Sequence, residues 1–349
     1  MSDASEHGGN LQAATKCFGL PHNGWQDLST GISPWGYPVN NVPDDVWQNL
    51  PVNSEPLLHA AQKFYGVDKN YILPLPGSQA AISSLPRLLP AARVALPSCG
   101  YHEHEYHWTN AGHIPVFYTT MDELLRLTEN GAVEHAVVIN PNNPTGQIFG
   151  CDILQKVYHK IAGVLLVDEA FMDWQPENTM AAFVATLPRL IVLRSVGKFF
   201  GLAGIRLGFV LSANGKVEQI KAAFEPWAVN GPAMWVAERA LTDFAWQKMQ
   251  RRRIDKVYQT LKHILQNFIR PLERSVTLVG TGLFVSLAGD SNLLGALHKA
   301  LALRGIYTRW GYQCAPSATA YLRIGLPPDD GVRLQAALHG IREQWEQQY

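Results

Sequence analysis

Short apolar, β-branched runs alternate with amphipathic helical patterns through the middle of this chain, and that alternation leaves few folds open to it. Strands are expected at 93–96, 114–118, 136–139, 164–167 and 190–193, and helices at 55–65, 121–128 and 152–161. Strands separated by helices pair in parallel, and the helices cover both faces of the sheet. The expectation is an α/β fold with a mostly parallel sheet. Ligands of such sheets gather beyond the carboxyl ends of the strands. Three polar features fall at three such ends: Asn140-Pro141-Asn142-Asn143-Pro144-Thr145-Gly146, Asp168-Glu169-Ala170-Phe171, and a glycine-rich stretch around Lys198. They are read as one site.

The Lys198 stretch is the most informative of the three. Ser195-Val196-Gly197-Lys198 and the residues to Gly208 lie between the apolar runs 191–193 and 209–211. The glycines let the backbone turn sharply and approach a ligand closely. A lysine held there is expected to be partly buried, which lowers its pKa and makes the amine a usable nucleophile. Schiff-base lysines arise in this way. Ser195 and Arg206 flank it and could hold a phosphate. Upstream, Gly77-Ser78-Gln79 opens a helix, and free N–H groups at the positive end of a helix dipole suit a phosphate as well.

With 349 residues, 47% of them apolar and 17% charged, the chain can bury a substantial core in one large domain or two. Its formal net charge is zero, which argues against bulk attraction to nucleic acid or an anionic membrane. No apolar stretch is long enough to span a bilayer and no secretory leader is evident, so a soluble cytoplasmic protein is expected. Cys17, Cys99, Cys151 and Cys314 have no metal-ligand or redox spacing and are expected as free thiols.

The opening segment is rich in turn residues, including His7-Gly8-Gly9-Asn10 and Ser33, but Trp25, Trp35 and Tyr37 argue that it packs onto something. The run Gly100-Tyr101-His102-Glu103-His104-Glu105-Tyr106-His107 is dense in histidine and glutamate. A metal would need a third ligand beside His104 and His107, and none is evident; an aromatic platform with a solvated polar face is expected. Helix from about 233 to 268, broken once, leads into a smaller α+β unit of strands at 276–279, 283–287 and 320–324 with a helix at 292–304 and another from about 330. Arg309 and Arg323 are its candidate anion binders. Domain limits are expected at 1–44 for an arm belonging to the small domain, 45–235 for the large domain and 236–349 for the rest of the small one.

Asn143-Pro144-Thr145-Gly146, Asp168 at a strand end, and Ser195-x-x-Lys198 followed by Arg206 together make the chain resemble the fold-type I pyridoxal 5'-phosphate (PLP) enzymes of the aminotransferase class I/II group, over nearly its whole length. The resemblance implies an aspartate aminotransferase-like large domain, PLP as cofactor, and a homodimer with active sites at its interface. It implies that Lys198 carries the cofactor and shuttles protons, and that Asp168 keeps the pyridine nitrogen protonated. Asn143 would donate to the ring oxygen and Tyr101 would stack on the ring. Ser78, Gln79, Ser195 and Arg206 would hold the cofactor phosphate, and Tyr65 would reach the phosphate of the neighbouring subunit's cofactor. Arg323 would grip the substrate carboxylate, while Arg309 with His7, Asn10 and Ser33 would face a distal phosphate on the substrate.

Two departures bear on this. Phe171 stands where many aminotransferases have a tyrosine that bonds the ring oxygen, and Tyr101 lies two residues later than usual after Pro97, which leaves Cys99 as the other occupant of the stacking position. Phe171 and the His-Gly-Gly-Asn arm turn the expectation towards α-decarboxylation of O-phospho-L-threonine, serving cobalamin biosynthesis. Transamination of the histidinol-phosphate type is the alternative, and a non-catalytic binding protein a minor one.

Overall fold

The computed structural model describes residues 7–51, 54–272, 276–314 and 319–346. The chain divides into two units: Met1–Trp35 with Pro144–Gln147 and Met249–Tyr349, and Gly36–Asn143 with Ile148–Lys248. These limits differ from the expected ones because the helix at Gly231–Thr242 packs on that at Glu55–Tyr65 and so stays with the larger unit.

The larger unit holds β2 (Ile72–Leu75), β3 (Arg93–Pro97), β4 (Ile114–Tyr118), β5 (His135–Ile139), β6 (Leu165–Asp168), β7 (Leu190–Ser195) and β8 (Gly208–Ser212). They form one sheet in the order β2-β8-β7-β6-β5-β3-β4. Pairings among β3 to β7 are parallel, and β8 runs antiparallel to both its neighbours. Strands β5, β6, β7 and β8 are buried along their whole length. A sheet covered on both faces demands this, and it is why those segments read as continuous apolar runs rather than alternating ones.

The smaller unit holds β1 (Gln26–Leu28), β9 (Val276–Thr281), β10 (Phe284–Gly289), β11 (Ile306–Gln313) and β12 (Ala320–Gly325), ordered β1-β11-β12-β10-β9. Only β1 pairs in parallel. The Pro144–Gln147 segment belongs here: Ser286 Oγ donates to the Pro144 carbonyl at 2.7 Å. A Cβ on Gly146 would lie 2.2 Å from the Gly280 carbonyl carbon, so the chain passes only because residue 146 is glycine.

Helices of the larger unit that bear on the site are α3 (Glu55–Tyr65), α4 (Ser78–Ser84), α5 (His102–Asn110) and α8 (Val196–Phe199). They follow α1 (Leu11–Phe18) and α2 (Asp44–Gln48) in the chain, with α6 (Met121–Glu129) and α7 (Cys151–Lys160) in between. α3 ends on Gly66 in the left-handed conformation, whose N–H caps the Gln62 carbonyl. Beyond α9 (Asn214–Lys221), the expected long helix is two, α10 (Gly231–Thr242) and α11 (Phe244–Ile269), broken at Asp243. The Asp243 Oδ1 accepts from Trp246 N at 2.9 Å, a capping interaction that restarts the helix. α12 (Ser291–Ala302) and α13 (Val332–Glu346) complete the smaller unit.

No helix among the described residues is long and apolar enough to cross a membrane. Cys17 and Cys151 are free thiols as expected. Cys99 and Cys314 are each disulfide-bonded instead, because a bond made by tertiary proximity leaves no local spacing to read.

Candidate active site

Sheet register brings the candidate residues to one edge. Leu75, Gly208 and Ser195 are partners across β2, β8 and β7, and Ile139, Asp168 and Leu193 across β5, β6 and β7. The loops that leave these positions carry Gly77–Gln79, Asn140–Asn143, Phe171 and Lys198.

Asp168 is 4% exposed at the end of β6. Its Oδ1 accepts from Ala170 N at 3.1 Å, and its Oδ2 lies 3.0 Å from Nε2 of His104, itself 2% exposed. An ionised carboxylate only accepts, so Nε2 of His104 carries the proton and donates it. His104 sits one turn into α5, and with Trp108, one turn further on, it forms the helix face turned inwards. Sequence reading placed His104 with possible metal ligands or on a polar face. The signal that could have found its role is its helical spacing from the buried Trp108. Among the described residues no three His, Cys, Asp or Glu gather as a metal site. His107 instead meets Glu103 at 3.2 Å.

Lys198 lies on α8, the short helix that follows Ser195, and its Nζ stands 5.3 Å from the centroid of the Phe171 ring. Phe171 is three residues beyond Asp168 and 6% exposed, so the amine and the carboxylate loop occupy one neighbourhood. A phenylalanine there presents an apolar face and no hydroxyl. Asn143 is 7% exposed. The loop before it is held by Asn140, whose Nδ2 donates to Phe149 O at 3.0 Å while its Oδ1 accepts from Phe149 N at 2.8 Å, and by Asn142, whose Nδ2 donates to Cys99 O at 3.0 Å.

Gly77, Ser78 and Arg206 form a cradle. Gly77 has φ +83°, and a Cβ there would lie 2.9 Å from Nη2 of Arg206. On Gly208 a Cβ would lie 2.4 Å from Ser78 N. The first N–H of α4 and the Arg206 guanidinium therefore converge on ground that side chains would fill. Arg206 itself takes the left-handed conformation at φ 57°, and its Nη1 donates to Ala203 O at 3.3 Å. Gln79 departs from expectation. Its side chain is turned to α5: Nε2 donates to Glu103 Oε2 at 2.8 Å, and Oε1 accepts from the Tyr101 hydroxyl at 3.0 Å. One amide N–H and the carbonyl oxygen are thus committed to α5, while its backbone N–H remains for a phosphate. Tyr101, at the start of α5, stands edge-on to His104 with ring centroids 6.3 Å apart. The residue beside both the cradle helix and the Asp168 partner is thus Tyr101, not the disulfide-bonded Cys99.

Tyr65 is corrected outright. It is 8% exposed, its hydroxyl has no accessible surface, and its ring packs on Phe64 and Phe209 under the Arg194 guanidinium, 4.8 Å away. A hydroxyl buried in its own unit cannot reach a neighbouring subunit. Tyr65 belongs to a buried ionic cluster that sequence reading missed. Arg194 Nη1 donates to Glu169 Oε2 at 2.6 Å and Nη2 donates to Asp173. Thr179 Oγ1 and Met180 N donate to the two Glu169 oxygens at 2.5 and 2.6 Å. Arg194 precedes Ser195 and Glu169 follows Asp168, so the cluster anchors two of the strand ends that carry the site. Arg194→Met strands two buried carboxylates without their cation, and the expected loss is about 3–5 kcal/mol of unfolding free energy. Urea denaturation checks it, and a loss under about 1 kcal/mol refutes the anchoring role.

In the smaller unit Arg309 and Arg323 are direct partners across β11 and β12. Opposed residues on antiparallel strands share a face. Arg323 is 5% exposed, donates from Nη2 to Ser29 O at 2.6 Å, and lies over the Phe284 ring. Burial, and then the Arg309 charge, push His298 down to about 4. The arm joins this unit through the pairing of β1 with β11 and the Arg323 bond to Ser29 O, and within the arm Gly9 N donates to Ser29 Oγ at 2.7 Å. Asn10 spends its Oδ1 capping α1 through Ala13 N. Ser33 is buried, its hydroxyl accepting from Gln250 Nε2 at 2.6 Å and contacting Trp35; His7 is exposed.

The sequence matches the aminotransferase class I and II family over residues 50–339. The chain belongs to that family. Among its curated relatives, the threonine-phosphate decarboxylase of Pseudomonas aeruginosa is 40% identical over 345 residues, 97% of this chain and 98% of that one. That of a Sinorhizobium species is 35% identical, over 94% and 95% of the two chains. Histidinol-phosphate aminotransferases match shorter stretches, for example 30% identity over 45% of this chain for that of Buchnera aphidicola. The fold agrees with the structure of histidinol-phosphate aminotransferase from Sinorhizobium meliloti in complex with pyridoxal-5'-phosphate, at a TM-score of 0.81 and 20% identity over 99% of both chains. It agrees too with L-threonine-O-3-phosphate decarboxylase from Porphyromonas gingivalis, at 0.72 and 20% over 90% of this chain and 99% of that one. Both show an aminotransferase class I/II fold, with its large, mostly parallel sheet.

The residues of this family member fit a phosphorylated aromatic aldehyde. The glycine-lined cradle with Arg206 suits a phosphate, the buried Asp168 suits a ring N–H, and Lys198 supplies an amine beside the apolar face of Phe171. When bound, PLP supplies an electron sink for charge developed at a substrate Cα.

Proposed function

We propose that this chain is a PLP-dependent threonine-phosphate decarboxylase, converting O-phospho-L-threonine to 1-amino-2-propanol O-phosphate and carbon dioxide. The observation that carries the reading is the 40% identity to the Pseudomonas aeruginosa enzyme, sustained over 97% of the chain. Two structural features support it. Arg309 and Arg323 share one face, which suits a substrate with two anionic groups. Phe171 withholds a hydroxyl from the carboxylate loop.

In this reading Arg323 holds the substrate carboxylate and Arg309 the phosphate, through charge-assisted hydrogen bonds. Asp168, fixed by His104, keeps a proton on the cofactor ring nitrogen. Asn143 donates to the ring oxygen, and Tyr101 packs on the ring. Ser78 through its N–H, Ser195 and Arg206 hold the cofactor phosphate. The bond from Cα to the carboxyl carbon breaks, carbon dioxide leaves, the electron pair stays on Cα, and Lys198 delivers there a proton drawn from water. The reading carries with it a cytoplasmic homodimer and a place in cobalamin biosynthesis, both resting on the family resemblance.

Decarboxylation and transamination differ in which Cα bond is held perpendicular to the ring, and the products separate them. With O-phospho-L-threonine and no keto-acid acceptor, the holoenzyme is expected to release carbon dioxide and the phosphorylated amine in equal amounts. A keto product that forms only when an amino acceptor is supplied overturns the decarboxylase in favour of the aminotransferase.

A further inference from the structure

α4 and α5 are joined by a directed chain of side chains. Glu103 Oε2 accepts from Gln79 Nε2 at 2.8 Å and meets His107 Nε2 at 3.2 Å. Gln79 Oε1 accepts from the Tyr101 hydroxyl at 3.0 Å. The directions follow from chemistry. A carboxylate has no proton to give, so the Gln79 NH2 must face Glu103. Its carbonyl oxygen must then face Tyr101, and the phenol must donate. Glu103 and His107 are held in place as an i,i+4 pair on α5, with side chains 17% and 15% exposed.

We infer that Gln79 is a positioning residue for Tyr101: its amide, oriented by Glu103, ties the aromatic platform to α4, the helix whose first N–H forms the cradle. The inference rests on the PLP reading above. It gives the Gln79 side chain the task of setting where the ring of Tyr101 stands relative to the phosphate, which the Gln79 backbone N–H still faces as a donor. An aromatic ring at the mouth of a helix has rotational freedom about its side-chain bonds, and a hydrogen bond at its far end removes it. A cofactor held by its phosphate at one end then meets a fixed plane along its length.

The test is a double-mutant cycle on the holoenzyme, read by the rate of PLP loss on dialysis and by the circular dichroism of the visible cofactor band. Gln79→Leu and Tyr101→Phe each remove one end of the same hydrogen bond. Each is expected to speed cofactor loss roughly fivefold, as for one hydrogen bond. The double variant is expected to lose it about fivefold faster as well, instead of the roughly 25-fold that independent effects give. All three are expected to weaken the visible dichroism alike. Glu103→Gln, which frees the amide to turn over, is expected to reproduce part of the loss. Gln79→Asn, too short to span the gap, serves if the leucine variant does not fold. Additive losses, or a Gln79 effect undiminished in the Tyr101→Phe background, overturn the positioning role alone. A wild-type protein with no visible band on PLP addition overturns the cofactor reading beneath it.

Discussion

Lys198→Ala is expected to lack the visible absorbance that PLP gives the wild-type protein and to turn over about 10⁴-fold more slowly or worse, the scale seen when a covalent catalyst is removed from a site otherwise intact. The reason lies in what alanine leaves in place. Arg206 and the α4 N–H form the cradle without help from position 198, so the cofactor phosphate is expected still to find its partners. What disappears is the only amine that the α8 turn sets over Phe171, with Nζ 5.3 Å from the ring. The variant should therefore still bind PLP reversibly, as equilibrium dialysis would show, while losing the band and the turnover together. Retention of the band would mean that another amine carries the cofactor, and the assignment of the strand-end site would fail.

Asp168→Asn is the second large effect. The amide keeps the size of the carboxylate but loses its charge, and it can no longer hold a proton on a ring nitrogen in a buried place. Transition-state charge left without its buried electrostatic partner costs on the order of 10²–10³-fold in turnover. The fold should survive, because Asp168 takes no part in the Arg194 cluster: Glu169 and Asp173 carry those contacts. A further expectation separates role from proximity. His104→Asn leaves the carboxylate charged, so its loss of turnover should be smaller than that of Asp168→Asn. Steady-state kinetics on the two variants decides it. Equal losses would mean that the imidazole, and not the carboxylate it orients, is the group in contact with the reacting system.

The sheet of the larger unit was legible because buried parallel strands write themselves as continuous apolar runs. β4 runs over the very residues expected, and β5, β6 and β7 differ from expectation only at their ends. The carboxyl-end loops followed from that, and with them the positions of Lys198, Asp168 and Asn143, whereas Ser78 was read separately from the Gly-Ser turn that opens α4. In the smaller unit β11 was missed, since Tyr307, Thr308, Arg309, Trp310 and Gly311 neither alternate nor run apolar. β1 was too short, at three residues, to have a period. Polar pairings were the least legible. His104 and Asp168 are joined by tertiary approach alone, as are Arg194 with Glu169 and Asp173, and Gln79 with Tyr101. No local pattern records such partners. For the same reason Tyr65 was misread: the family resemblance assigned it to a neighbouring subunit's cofactor, while its hydroxyl is buried and its ring lies under Arg194.

The central claim is that the amine of Lys198 carries PLP beside the loop that Asp168 begins. The measurement closest to it is borohydride reduction of the holoenzyme followed by peptide mass analysis. The account predicts a phosphopyridoxyl group on the peptide containing Lys198 and on no other lysine peptide. A modified lysine elsewhere, or an unmodified Lys198 peptide from fully loaded protein, would contradict it.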